Sequence, residues 1–170
     1  LLPEIRIDLC YENGVQKVYL NGEDLGDRIR TPEMSMYASA VSAIPAVRAF
    51  LLDTQRSIAR KNSVIMDGRD IGTAVFPQAE LKIFVTASAK VRAQRRYDEL
   101  MGKAKTEEEK AKLNFDEILK NVEERDYLDS HRETSPLKQA KDAVVLDNSE
   151  MTIEEQNAWL LERFQEKLNK

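Results

Sequence analysis

VIMDGRDIGTAVFP, residues 64–77, decides how this chain folds: an apolar run stops abruptly at Asp67-Gly68-Arg69-Asp70. Two further short apolar runs with β-branched residues, LKIFVTA at 81–87 and AVVLD at 143–147, are set apart from SVIMD at 63–67 by long helical stretches. Such runs read as buried parallel strands and the stretches between them as crossover helices, so the expected fold class is α/β. Parallel sheets of this kind bind ligands at the carboxyl ends of their strands, which is where residues 67–70 fall. There an acid can hold a magnesium ion through water, a guanidinium can grip a phosphate with two bonds, and glycine permits close backbone approach. The competing reading is a turn in which Asp67 caps amides and Arg69 pairs with Asp70.

Outward from this stretch, the helices are expected at about 88–101, opened by Ser88, at about 115–130, and at 152–168, where Thr152 and Glu155 have capping-box spacing. Trp159, Leu160, Phe164 and Leu168 on the last helix are assigned to the core. The run KAKTEEEKAKLN, 103–114, is polar and without an apolar stripe, and reads as a solvated, mobile excursion. Towards the amino end, Asn13-Gly14 and Asn21-Gly22 are flanked by strand-forming residues, which predicts a three-stranded antiparallel meander within residues 5–25. Thr31-Pro32-Glu33 and Pro45 then open two helices, at about 32–43 and 46–61.

The 170 residues carry a net charge of −4, with 33% charged and 42% hydrophobic residues. An acidic balance argues against a nucleic-acid or anionic-membrane partner, and no apolar run approaches the roughly 20 residues of a membrane span. One cysteine, Cys10, excludes an internal disulfide framework and a thiolate-rich zinc site; with no secretory signal, a cytoplasmic location is expected. The lone His131 leaves no Ser-His-Asp triad or histidine metal cluster to build within one chain, and reads as a solvated residue. What remains is arginine. Arg92, Arg95 and Arg96 share one expected helix, and Arg125, Asp129 and Arg132 share a face of the next. Isolated pairs at such spacing are usually solvated salt bridges. Five arginines beside a polar excursion in an acidic protein point instead to a lid over polyphosphate.

IRTPEMSMYASAVSAIPAVRAFLLDTQRSIA, VIMDGRDIGTAVFPQAELKIFVTAS with RAQRR, ERDYLDSHRETSPL and DAVVLDNSEMTIEE, in that order, resemble the bacterial cytidylate kinase family of nucleoside monophosphate kinases. The resemblance implies a nucleoside monophosphate kinase type parallel sheet with flanking helices and a small antiparallel three-stranded insert. It divides the chain into a monophosphate-binding insert region (1–61), core strands and helix (62–102), a lid region (103–138) and a core strand with the last helix (139–170). It implies transfer of the γ-phosphoryl group of ATP to CMP or dCMP, with Mg2+, by a monomer. Residue by residue, Ser39 and Arg48 match contacts to cytosine and Asp70 a carboxylate facing its amine, which uracil lacks. Arg69 and Arg132 match ligands of the monophosphate's phosphate, Arg125 and Asp129 contacts to sugar and phosphates, and Asp67 the strand-end acid near magnesium; Arg92 and Arg96 would serve the lid. The family's glycine-rich loop with lysine, GxxxxGKS/T, is not among these residues, so its strand is expected to be missing from the sheet and the chain by itself to be inactive. Two alternatives are a non-catalytic nucleotide-binding module and a kinase for UMP or AMP.

Overall fold

Each Asn-Gly pair does what its chemistry dictates. Asn13 (φ 51°), Gly14 (81°), Asn21 (51°) and Gly22 (87°) all adopt the left-handed conformation that two-residue primed turns require. Strands β1 (Ile7–Glu12), β2 (Val15–Leu20) and β3 (Glu23–Asp24) therefore form an antiparallel meander in the order β1-β2-β3. Register is closed at Glu12 opposite Val15 and Leu20 opposite Glu23. The Asn21 side chain also accepts a hydrogen bond from the Arg6 amide at 2.8 Å. Helices α1 (Pro32–Ser42) and α2 (Pro45–Ala59) follow, the latter with its proline in the first turn.

The computed structural model describes residues 2–30, 32–42 and 44–169, with the side chains of Arg30, Pro32, Glu33, Ser35, Met36 and Ser39 left undescribed. Thr31, the expected cap of α1, lies outside the described residues. The chain divides into two compact units, Leu1–Val64 and Ile65–Lys170.

The second unit is built on a parallel pair, β4 (Ile83–Thr86) and β5 (Val144–Asp147), in register from Ile83 opposite Val144 to Thr86 opposite Asp147. Helices α3 (Ala89–Lys103), α4 (Glu107–Ala111), α5 (Phe115–His131) and α6 (Ile153–Leu168) complete it. Ser88 caps α3 by accepting from the Val91 amide at 3.2 Å, and the Thr152–Glu155 capping box opens α6. At the amino ends of the strands the Lys82 ammonium, its side chain only 6% exposed, donates to Asp142 at 2.6 Å and to the Pro77 carbonyl at 2.5 Å. The buried apolar side chains among the described residues are Val75, Ala87, Ala93 and Leu146, all in this unit.

Two expectations need correcting and one needs adding to. SVIMD is not a strand: residues 63–67 pair with nothing in either sheet, and Ile65 is 99% exposed. A strand exists through its ladder, and among the described residues no neighbour supplies one. Within the polar excursion at 103–114 there is local order that the sequence reading did not include: α3 runs on to Lys103, and Thr106 with Glu109 forms a reciprocal capping box that starts α4. On α6, Trp159 and Leu160 are half-buried as a core stripe demands, but Phe164 and Leu168 are exposed, because little among the described residues packs over the end of that helix.

Candidate functional site

Residues 67–76 form a tight, well-bonded turn. The Asp70 carbonyl accepts from the amides of Thr73 (3.2 Å), Ala74 (2.8 Å) and Val75 (3.2 Å), and the Ile71 carbonyl accepts from Phe76 at 2.7 Å. This makes Ile71–Val75 a single π-helical turn, a wide turn found frequently at functional sites. Two glycines make it possible. A Cβ on Gly68 would stand 2.9 Å from Ile71 Cγ1, and one on Gly72 would stand 3.2 Å from the Lys82 stem. The turn buries Asp70, while Asp67 and Arg69 are exposed; Asp67 makes no ion pair among the described residues.

Arg69 reaches across 60 positions of sequence to donate its Nε to Asp129 Oδ2 at 2.8 Å. The Asp129 side chain is 14% exposed, and Arg132 Nη1 lies 3.9 Å from its other oxygen. Arg132 is in turn fixed by donation of its Nε to the Ser135 carbonyl at 2.8 Å, with Ser135 in the left-handed conformation at φ 50°. The Leu137 amide donates to the Asp129 carbonyl at 2.7 Å, so the segment after α5 folds back onto the same residue. One carboxylate thus collects two guanidinium groups, whose remaining N–H donors make no other bond among the described residues. Planar donors held in this way suit an anion with several oxygens.

The other arginines divide. Arg92 donates Nη1 and Nη2 to the two oxygens of Asp126 at 2.8 and 2.5 Å, and Nε to the Ala87 carbonyl at 2.9 Å. Arg96 pairs with Glu99 on its own helix at 2.8 Å, and with Lys103 it holds the Glu99 carboxyl below its usual range, the Lys103 hydrogen bond contributing most. Arg95, which sequence reading counted only among the clustered arginines, binds the side chain and carbonyl of Asn148 at 3.0 and 2.6 Å, just past the end of β5. At that same strand end Asp147 accepts from the Ser149 hydroxyl at 2.6 Å and from its amide at 2.9 Å, which lowers its carboxyl pKa. Arg125 is exposed and makes no ion pair among the described residues. Arg48 is half-buried on α2 in the first unit; Ser39 falls on α1 with its side chain outside the description.

The structure therefore brings Arg69, Asp129 and Arg132 together and ties Arg92 and Arg96 to carboxylates of their own. Asp126, the partner of Arg92, escaped sequence reading, since nothing local marks a pairing across 34 positions. No group of three or more acidic, histidine or cysteine side chains able to enclose a metal occurs among the described residues. His131 is exposed and stacks on Tyr127 with ring centroids 4.1 Å apart. Among the described residues, no helix is long and apolar enough to cross a membrane.

A family model described as cytidylate kinase matches residues 2–166. Among curated relatives, the cytidylate kinase of Porphyromonas gingivalis is 52% identical over 97% of this chain and 70% of its own length. That of Phocaeicola vulgatus is 48% identical over 99% and 72%, and that of Flavobacterium psychrophilum 48% identical over 91% and 67%.

Proposed function

The chain belongs to the cytidylate kinase family, and from that premise we propose that Arg69 and Arg132, gathered on Asp129, grip the phosphate of CMP or dCMP as it accepts the γ-phosphoryl group of ATP. The protein is a phosphotransferase acting on nucleotides. The single observation that carries the residue assignment is the pair of guanidinium groups on the Asp129 carboxylate, at 2.8 and 3.9 Å.

The chemistry asks little of the protein beyond position and charge. The acceptor phosphate is its own nucleophile, so no side chain need be acylated or phosphorylated, and no histidine is required. Arg69 and Arg132 bind two faces of the acceptor phosphate and neutralise it, while Asp129 keeps both guanidinium planes from collapsing onto solvent. Arg125, exposed on α5 and free of ion pairs among the described residues, contacts the sugar and phosphates. Arg96 exchanges its solvated partner Glu99 for donor phosphate. Asp70, buried under the π-helical turn, accepts from the cytosine amine and so disfavours uracil, whose carbonyl it repels. Ser39 and Arg48 keep the role their family match gives them, donors to the ring acceptors of cytosine.

Magnesium fits the residues present in one way. It is commonly held by one or two carboxylates plus phosphate oxygens and water, and Asp67, exposed and without an ion pair, offers one such carboxylate. When bound there, the ion neutralises charge between the donor and acceptor phosphates.

Calorimetry on the protein with CMP, dCMP, UMP and AMP tests the reading. We expect CMP and dCMP to bind, UMP to bind at least about tenfold more weakly, and Arg132→Lys or Arg69→Lys to weaken CMP by a similar factor through loss of the planar fork. Equal heats for CMP and UMP would remove the role of Asp70, and unaltered CMP affinity in both lysine variants would remove the phosphate grip.

A further inference from the structure

Arg92 is the arginine of α3 that reaches α5 among the described residues. Its guanidinium is engaged through all three nitrogens: Nε on the Ala87 carbonyl, Nη1 and Nη2 on the two oxygens of Asp126. Ala87 is a buried residue directly after β4, so one end of this bridge is anchored at a strand terminus. The other end lies one helical turn before Asp129, on the same helix that carries the phosphate grip. A two-bond fork fixes orientation as well as distance, since both pairs of atoms must stay coplanar. With three of its five N–H donors used in this way, Arg92 has no two-donor edge left for a phosphate unless it releases Asp126 or the Ala87 carbonyl. Its neighbours differ: Arg96 pairs within its own helix, and Arg95 binds the loop after β5.

We infer that Asp126 is a positioning residue of the phosphate grip, acting through Arg92, and that Arg92 is its anchor on the β4 terminus rather than a polyphosphate ligand. This rests on the proposed role of Arg69, Asp129 and Arg132. By holding α5 at the level of residue 126, the bridge sets where Asp129 stands, and with it the two guanidinium groups that Asp129 collects and the segment pinned by the Leu137 amide.

A double-mutant cycle separates anchor from ligand. Asp126→Asn keeps the shape of the side chain and removes its charge; Arg92→Gln removes the fork. For phosphoryl transfer from ATP to CMP, measured with the family's glycine-rich loop present, we expect each single variant to raise the KM for CMP about tenfold with a smaller fall in kcat, and the double variant to be no worse than either, because both delete one device. Amide exchange at Arg132 and Leu137 should quicken in all three, while the amides of β4 and β5 keep their protection. An Asp126→Asn enzyme with unchanged KM for CMP and unchanged exchange would overturn the inference. So would a lowered KM for ATP in Asp126→Asn beside a raised one in Arg92→Gln, since that pattern marks Arg92 as a phosphate ligand that Asp126 restrains. If the unaltered protein fails to distinguish CMP from UMP, the substrate reading fails by itself; the exchange measurement still decides whether the bridge positions residues 129–137.

Discussion

Gly72 shows how one missing side chain allows a charge to be buried. The Lys82 stem passes the Gly72 backbone on its way to Asp142 and the Pro77 carbonyl, and a Cβ at residue 72 would meet Lys82 Cδ at 3.2 Å, Lys82 Cγ at 3.5 Å and Ala140 Cβ at 3.8 Å. A lysine stem ordinarily yields to such pressure by changing rotamer. This one is held at its tip by two acceptors, so yielding would break bonds to an ammonium that is hardly exposed. Gly72→Ala should therefore destabilise the protein by about 1–3 kcal/mol, the usual cost of overpacking. Gly102 provides the opposite case: it lies near the end of α3, and an added Cβ meets nothing within 4 Å. Gly102→Ala should stabilise by up to about 1 kcal/mol by restricting the unfolded chain. Urea titration of the two variants decides, with midpoints moving in opposite directions at constant m; a Gly72→Ala midpoint at or above the parent value would show that Lys82 is not held as described.

Elements whose determinants are local were legible in the sequence, and those that need a distant partner were not. The meander follows from two dipeptides that favour primed turns, α3 and α6 from their caps Ser88 and Thr152, and α5 from helical periodicity. SVIMD has strand composition but no ladder, because pairing is not a property of the run itself. The stripe of α6 misled in the same way: periodicity identifies a face, whereas cover for Phe164 and Leu168 must come from elsewhere. In the site, the residues of D-G-R-D were visible at once, yet the bonds Arg69–Asp129 and Arg92–Asp126 span 60 and 34 positions and only the fold shows them. Helix α4 is the converse, a short element that local polarity concealed although Thr106 and Glu109 spelled its cap. With five residues it cannot sustain itself by propagation, so its cap carries a large share of its stability. Thr106→Ala removes the acceptor of the Glu109 amide at 3.1 Å, a loss of about 1 kcal/mol. Carbon chemical shifts of residues 107–111 should then move towards coil while those of α3 and α5 stay helical. Unchanged shifts would mean that something other than the cap holds α4.

At the scale of the whole molecule, a short roll of buried apolar side chains among the described residues leaves charge pairs with more to do than in a densely cored domain. Their pH dependence has a definite sign. Asp142 is held below the usual carboxyl range, chiefly by the hydrogen bond from Lys82, Glu99 by Lys103 and then Arg96, and Asp147 by Ser149. A carboxyl whose folded value lies below its unfolded one stabilises fully above the unfolded value, and the gain is lost as pH falls through the folded value. Lys17, raised chiefly by its hydrogen bond with Glu12, behaves in mirror image: its contribution is full below the unfolded value and disappears as pH rises through the folded one. Thermal midpoints should therefore be level near neutrality and fall below about pH 4. Most of these groups are solvated, and salt should flatten the part of the acid limb due to Glu99, whose partners are exposed. Asp142 differs because its partner is nearly buried. Asp142→Asn leaves the Lys82 ammonium without a counter-charge at every pH, so the neutral midpoint should drop, while the acid limb becomes shallower because one linked proton is gone. Circular dichroism melts of both proteins from pH 7 to pH 3 test this directly. A variant whose midpoint is lower at neutrality yet falls with acid as steeply as the parent would show that the Lys82–Asp142 pair is not what acid titrates, and would shift the acid limb to Asp147 and Glu99.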